Sequence, residues 1–134
     1  AERAGADGLV VANTLPGMRV DTRARRPALG NVTGGLSGRA IMPVNLALVW
    51  RVSAGVSVPV AGSGGVTSAD DALQYLMAGA SAVQVGTALF LEPDAAGLIA
   101  RGLLERMAGD GFSSVGEYVG LARRTTWTGA AAAA

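Results

Sequence analysis

The sequence contains no cysteine, no histidine and no lysine, so all eleven of its basic residues are arginine. The absence of cysteine excludes disulfides and thiolate metal sites. Charged residues make up only 16% of the 134 residues, below the usual quarter. So little charge indicates that much of the surface is covered, either within a tight fold or against partner segments.

Strong charge and long hydrophobic runs are also missing. A formal net charge of +1 gives no field that would attract nucleic acid or an acidic membrane surface. No apolar run reaches the length of a membrane span, and no signal-peptide pattern is present. The sequence therefore predicts a cytoplasmic protein that binds neither nucleic acid nor membrane.

Short valine-rich runs alternate with segments of helical character. The runs are typical of strands buried on both faces of a sheet, and they occupy residues 8–12, 58–62 and 82–86. Helices are predicted over residues 43–54, from Ser68 with Asp71 as capping partner, over 94–108, and from Ser114 with Glu117. This order predicts an α/β fold with a parallel sheet.

The rest of the chain divides into a long connection and a tail. The long connection over residues 13–41 is expected to contain a hairpin over residues 18–32, followed by a flexible glycine-rich turn at 34–38, "GGLSG". No linker splits the chain, so residues 1–129 are expected to belong to one domain. Residues 130–134 are a low-complexity alanine tail.

Two successive predicted strands end on glycine. Gly64 and Gly65 follow the second strand, whereas Gly86 and Thr87 follow the third. The carboxyl ends of parallel strands carry the site in such folds, and glycine lets backbone N–H groups approach an anion closely. These four residues therefore predict a phosphate cradle, in which Gly65→Val is expected to abolish binding with little effect on folding.

Several motifs in order resemble a known family. The stretches "ADGLVVANT", "GNVTGGLSG" and "VPVAGSGGVTSADDALQYLMAGASAVQVGTALF" resemble the C-terminal part of dihydroorotate dehydrogenases. The likeness is greatest to the bacterial class 1B flavoproteins, which work with an iron–sulfur and FAD electron-transfer subunit. The resemblance implies the C-terminal portion of a TIM (β/α)8 barrel, with parallel strands six to eight and their helices. It also implies FMN-dependent oxidation of dihydroorotate to orotate in pyrimidine biosynthesis.

The resemblance also assigns roles to particular residues. Gly64, Gly65, Gly86 and Thr87 match positions that hold the FMN phosphate, and Gly38 and Ala12 match further flavin contacts. Asn13 and Thr14 match the pair that hydrogen-bonds the pyrimidine. An asparagine amide, which both donates and accepts, suits a ring that bears N–H and C=O groups.

The chain departs from the family in two respects. Arg39 stands where the family usually has proline, and the family's catalytic base, a cysteine, has no counterpart in this sequence. Asp70 and Asp71 are interpreted as solvated helix-cap residues rather than substitute bases. The domain is therefore expected to be incomplete, inactive alone and prone to form homo-oligomers.

Two other interpretations stay open. One is a flavoprotein related to dihydropyrimidine dehydrogenase, and the other is a non-catalytic partial barrel that binds phosphate or flavin.

Overall fold

A three-stranded parallel sheet forms the centre of the computed structural model, which describes residues 1–124. Its strands are β1 (Leu9–Val11), β6 (Val60–Ser63) and β7 (Ala82–Gln84), in the order β1-β6-β7. The predicted parallel sheet is confirmed, although each strand is shorter than its apolar run. Within residues 1–124, β1 and β7 pair only with β6 and form the two edges of the sheet.

The connection after β1 contains two antiparallel ladders, which confirms the predicted hairpin. Strand β2 (Leu15–Met18) pairs with β5 (Thr33–Leu36), and β3 (Val20–Asp21) pairs with β4 (Arg26–Pro27). The prediction of a flexible turn over residues 34–38 was wrong in part. Gly34, Gly35 and Leu36 belong to β5 because the opposing β2 supplies them with a ladder partner.

The helices pack against the sheet, and the first three begin within a residue of their predicted positions, whereas the helix predicted from Ser114 is a short 3-10 turn and the fourth helix begins at Leu121. They are α1 (Met42–Ser53), α2 (Ala69–Met77), α3 (Ala95–Asp110) and α4 (Leu121–Arg124). The described residues also form four 3-10 turns, at Glu2–Ala4, Arg39–Ile41, Thr87–Phe90 and Val115–Tyr118. The Ser114 capping box is confirmed, since its hydroxyl accepts from Gly116 N–H and the Glu117 carboxylate accepts from Ser114 N–H.

The core lies between the helices and one face of the sheet. Val60 of β6 is 2% exposed and packs in a cluster with Val49 of α1 and Tyr75 of α2. Val10 of β1, on the other face, is 59% exposed. In the part of the chain that the structure describes, no helix is long and apolar enough to cross a membrane. The predicted alanine tail, residues 130–134, lies outside the described residues.

Candidate functional site

A cavity of about 310 Å³ lies at the carboxyl ends of the three parallel strands. It is lined by the segments that follow β1, β6 and β7 and by the 3-10 turn Arg39–Ile41. All eight residues that the sequence predicts as binding residues line this one cavity: Ala12, Asn13, Thr14, Gly38, Gly64, Gly65, Gly86 and Thr87. Parallel strands bring these distant residues together because their carboxyl ends lie at the same edge of the sheet.

The glycines after β6 are packed tightly against the chain itself. Gly64 and Gly65 have φ values of +121° and +74°, a region that side chains rarely adopt. A Cβ added at Gly64 would collide with the Asn45 amide, and one at Gly65 would lie 2.8 Å from Met42 Cβ. The expectation that Gly65→Val leaves folding intact is therefore wrong, since this backbone needs glycine whether or not a ligand is bound.

The glycine after β7 lies in open space. Gly86 has φ −127°, and a Cβ built on it would meet no atom within 4 Å. Thr87 follows it, and both residues are exposed at the cavity. The space beside Gly86 is thus part of the cavity and is not filled by the described residues of the chain.

Asn45 of α1 holds two strand ends together. It is fully buried, and its Nδ2 donates to the carbonyl of Ser63 at 2.9 Å and to that of Asn13 at 3.3 Å. Its Oδ1 is buried and has no hydrogen-bond partner among the described residues. The sequence analysis did not identify this residue. The available signal was a polar residue between Met42 and Val49 on the buried face of an amphipathic helix.

Tyr75 of α2 secures the loop after β6 from the opposite side. The buried phenol donates to the carbonyl of Gly64 at 2.7 Å. Burial raises the pKa of Tyr75 to about 12, with a smaller contribution from the negative charge of Asp71. The hydroxyl therefore stays protonated at neutral pH and acts as a fixed donor.

Asn13 and Thr14 follow β1 and line the cavity on the side away from β7. Both residues are exposed, and the Asn13 Oδ1 accepts from Thr14 N–H at 2.8 Å. This contact and a longer one from the Thr14 hydroxyl to the same oxygen, at 3.4 Å, orient the Asn13 side-chain amide, whose nitrogen carries two donors.

Asp71 is buried, which corrects the expectation that both cap aspartates are solvated. Its carboxylate accepts from the Thr67 N–H at 3.0 Å and hydroxyl at 2.8 Å, whereas Asp70 is exposed. Burial raises the pKa of Asp71, but hydrogen bonds from Thr67 and Ser68 and the charge of Arg39 outweigh it and leave the pKa below its usual value. Asp71 is thus an ionised structural group at neutral pH and not a poised base.

The residues that line the cavity suit a phosphate ester. Gly86 leaves room for an atom where any other residue would place a Cβ, and Thr87 offers a hydroxyl donor. Within residues 1–124, no cluster of three or more acidic side chains could hold a metal ion.

The fold and this site together define a class. A parallel sheet flanked by helices, with a glycine-lined cavity at the carboxyl ends of its strands, is typical of part of an α/β barrel, whose ligand site lies at that end of the strands. Residues 1–107 match the sequence model of the dihydroorotate dehydrogenase family. The chain belongs to the dihydroorotate dehydrogenase family, which confirms the resemblance seen in the sequence.

Known relatives and structures agree with this assignment. The chain is 56% identical over 117 residues to the "dihydroorotate dehydrogenase B (NAD(+)), catalytic subunit" of Geotalea daltonii, and 55% identical over 119 residues to that of Trichlorobacter lovleyi. These matches cover 87% and 89% of this chain but 38% and 39% of the relatives.

A solved structure gives the same result for the fold. The crystal structure of the Eimeria tenella enzyme DHODH in complex with ferulenol superimposes with a TM-score of 0.72 at 31% identity. The match covers 92% of this chain and 33% of that one. The described chain therefore has the architecture of the C-terminal portion of the barrel.

Proposed function

We propose that this chain is the C-terminal part of an FMN-dependent dihydroorotate dehydrogenase, which oxidises dihydroorotate to orotate in pyrimidine biosynthesis. The observation that carries the proposal is the convergence on one cavity of two glycine-bearing strand ends and the Asn13–Thr14 pair. The first two suit a phosphate and the third suits a pyrimidine ring. The proposed domain comprises residues 1–129 and is incomplete.

The phosphate end of FMN would lie between the β6 and β7 strand ends. Gly64 and Gly65 present backbone there in a conformation fixed by Asn45 and Tyr75. Gly86 leaves the opposite wall open, and Thr87 adds a hydroxyl donor. Gly38 and Ala12 would contact the rest of the flavin. When bound, FMN supplies the acceptor for the electrons that leave the dihydropyrimidine ring.

The substrate would contact the end of β1. Asn13 and Thr14 offer amide and hydroxyl groups that pair with the N–H and C=O groups of the ring. Asn45 of α1 donates to the Asn13 carbonyl at 3.3 Å and also to the carbonyl of Ser63. The helix α1 would therefore hold both the substrate clamp, Asn13 and Thr14, and the phosphate loop, residues 64–67.

The proton that oxidation removes from the ring needs a base that this chain does not supply. The sequence has no cysteine, and the buried Asp71 is already engaged by Thr67. We therefore predict that the 134 residues alone do not oxidise dihydroorotate and that the base comes from the remainder of the barrel.

Partners and location are further parts of the proposal. The relatives are named as catalytic subunits, which supports association with an electron-transfer subunit that carries an iron–sulfur cluster and FAD. Assembly into homo-oligomers and a cytoplasmic location stay predictions.

The test of the phosphate cradle is Gly86→Val, because this position is open to the cavity and the chain does not crowd it. FMN affinity, measured by the change in flavin absorbance, is expected to fall at least about tenfold, as a bulky side chain would occupy the space of the phosphate. Gly30→Val is the matched control, since Gly30 also has no atom within 4 Å of a Cβ and lies away from the cavity. Unchanged FMN affinity in Gly86→Val would overturn the cradle.

Asn13→Ala tests the substrate clamp separately. Orotate affinity is expected to fall about tenfold with FMN still bound, because a lost hydrogen bond to a buried polar group costs about 1–3 kcal/mol. Titration of the flavin absorbance with orotate measures this effect, and an unchanged dissociation constant would remove Asn13 from the clamp.

A further inference from the structure

We propose that Arg39 binds the phosphate of the cofactor and sets the preference of this site for the phosphorylated flavin over the free one. This inference rests on the proposed function. It assigns a ligand contact to a side chain that neither the glycine motifs nor the predicted substrate pair includes.

The first observation is the charge of the cavity. Among the described residues that line it, Arg39 is the only one with a charged side chain. The other lining residues are neutral, including the glycines after β6 and β7 and the hydroxyl residues Thr67 and Thr87. The cavity lining therefore carries one positive charge, which complements a phosphate monoester dianion.

The second observation is the position of Arg39 against the phosphate loop. A Cβ on Gly65 would lie 2.9 Å from the carbonyl of Gly38, so the start of the turn Arg39–Ile41 packs directly against that loop. The Arg39 guanidinium lies 3.7 Å from the Asp71 carboxylate, which accepts from both the N–H and the hydroxyl of Thr67. The charge is thus held beside the loop that runs from Gly64 to Thr67.

The third observation is that the ion pair between Arg39 and Asp71 is long and that its arginine is exposed. The Arg39 side chain is 72% exposed, whereas that of Asp71 is 5% exposed. Asp71 keeps its two hydrogen bonds from Thr67 without Arg39. The separation of 3.7 Å exceeds the 2.7–2.9 Å of a charge-assisted hydrogen bond, so donors of the guanidinium are available to phosphate oxygens. Asp71 keeps the arginine near the loop without occupying all of its donors.

The experiment compares FMN with riboflavin, which lacks the phosphate, on the purified protein. Dissociation constants are measured from flavin absorbance and fluorescence for the parent, Arg39→Gln, Arg39→Lys and the control Arg51→Gln. Arg51 lies exposed on α1 and outside the cavity, so its replacement makes the same change of net charge.

In Arg39→Gln, FMN affinity is expected to fall about tenfold to a hundredfold, the range for a lost hydrogen bond between charged groups, with riboflavin affinity unchanged. Arg39→Lys is expected to retain part of the preference because it keeps the charge, and Arg51→Gln is expected to behave as the parent. The loss in Arg39→Gln is also expected to shrink between 0.01 and 1 M salt, because screening weakens an exposed ionic contact.

Three other results would contradict the inference or the proposed function on which it rests. Equal loss of FMN and riboflavin affinity in Arg39→Gln would overturn the inference, because it would indicate a structural role in the turn. Unchanged FMN affinity in that variant would overturn it too, while leaving the proposed function standing. A parent protein that binds FMN and riboflavin equally would remove the phosphate cradle itself, and with it the role of Arg39.

Discussion

The ends of β6 and β7 carry the same kind of sequence but have opposite surroundings. After β6, Gly64 and Gly65 have positive φ values and are surrounded by Asn45, Met42 and the Gly38 carbonyl. After β7, Gly86 has no neighbour within 4 Å of a Cβ. At the end of β6 the fold requires glycine. At the end of β7 the described chain leaves room for a side chain. Two glycines in similar motifs can therefore have different surroundings, one in contacts that the fold imposes and one beside space that a ligand could fill.

This contrast predicts that substitutions at the β6 end affect stability far more than those at the β7 end. The largest effect is expected for Asn45→Asp, which would place a buried carboxylate against the carbonyls of Ser63 and Asn13. The free energy of unfolding at pH 7 is expected to fall by about 3–5 kcal/mol, the range for an uncompensated buried charge.

The pH dependence of Asn45→Asp identifies the cause. Burial would raise the pKa of the new carboxyl in the folded state, so the loss is expected to grow as the pH rises above the unfolded-state value near 3.9. Urea denaturation at several pH values measures it. Val44→Asp, on the exposed face of the same helix, is the control and is expected to lose little at any pH. An equal loss in the two variants would contradict the role of Asn45.

The next effect concerns the crowded glycine itself. Gly64→Ala is expected to reduce the free energy of unfolding by about 2–3 kcal/mol, because it adds backbone strain at φ +121° to a collision with the Asn45 amide. The midpoint and slope of urea denaturation measure this loss. Parent-like stability would show that the β6 end is not as rigid as its contacts indicate.

A smaller effect is expected for the buried cap residue. Asp71→Asn weakens two hydrogen bonds to a charged acceptor and is expected to cost about 1–3 kcal/mol at pH 7. Since the pKa of Asp71 is lowered in the fold, its contribution is present above the unfolded-state pKa near 3.9 and is lost as the pH falls through the lower folded-state value.

The difference between parent and Asp71→Asn is therefore expected to close below about pH 4. Asp70→Asn, at the exposed neighbouring position, supplies the comparison and is expected to show little dependence. A constant difference across this pH range would show that the charge of Asp71 contributes nothing.

The smallest effect on stability is expected at the β7 end. Gly86→Ala is expected to change the free energy of unfolding by less than about 0.5 kcal/mol, as exposed substitutions without contacts usually do. Thermal denaturation without flavin measures it. A loss as large as that of Gly64→Ala would erase the contrast between the two strand ends.

The sequence was sufficient for the sheet, the first three helices and eight of the residues that line the cavity. Valine-rich runs, glycine at strand ends and the Ser114–Glu117 cap are local patterns, and a family resemblance added the roles. The environments of Asn45, Asp71 and Gly65 could not be read in the same way. Each depends on contacts between segments far apart in the chain, such as Asn45 with Asn13 and Ser63. Residue type predicts that an amide or a carboxylate is polar, but the opposing segment decides whether it is buried and which groups it meets.

One of the two tyrosines of the chain, Tyr75, can serve as an optical probe of the loop after β6. Tyr75 holds the Gly64 carbonyl, and Tyr118 donates to Asp110 at 2.6 Å; burial raises the pKa of each to about 12. Phenolate absorbance is therefore expected to stay low past pH 10, the value at which an unfolded tyrosine ionises. Because the unfolded chain releases these protons first, stability falls between about pH 10 and 12. Ionisation of Tyr75 also removes the donor to the Gly64 carbonyl, so its share of the rise in phenolate absorbance marks the pH at which alkali frees the loop after β6.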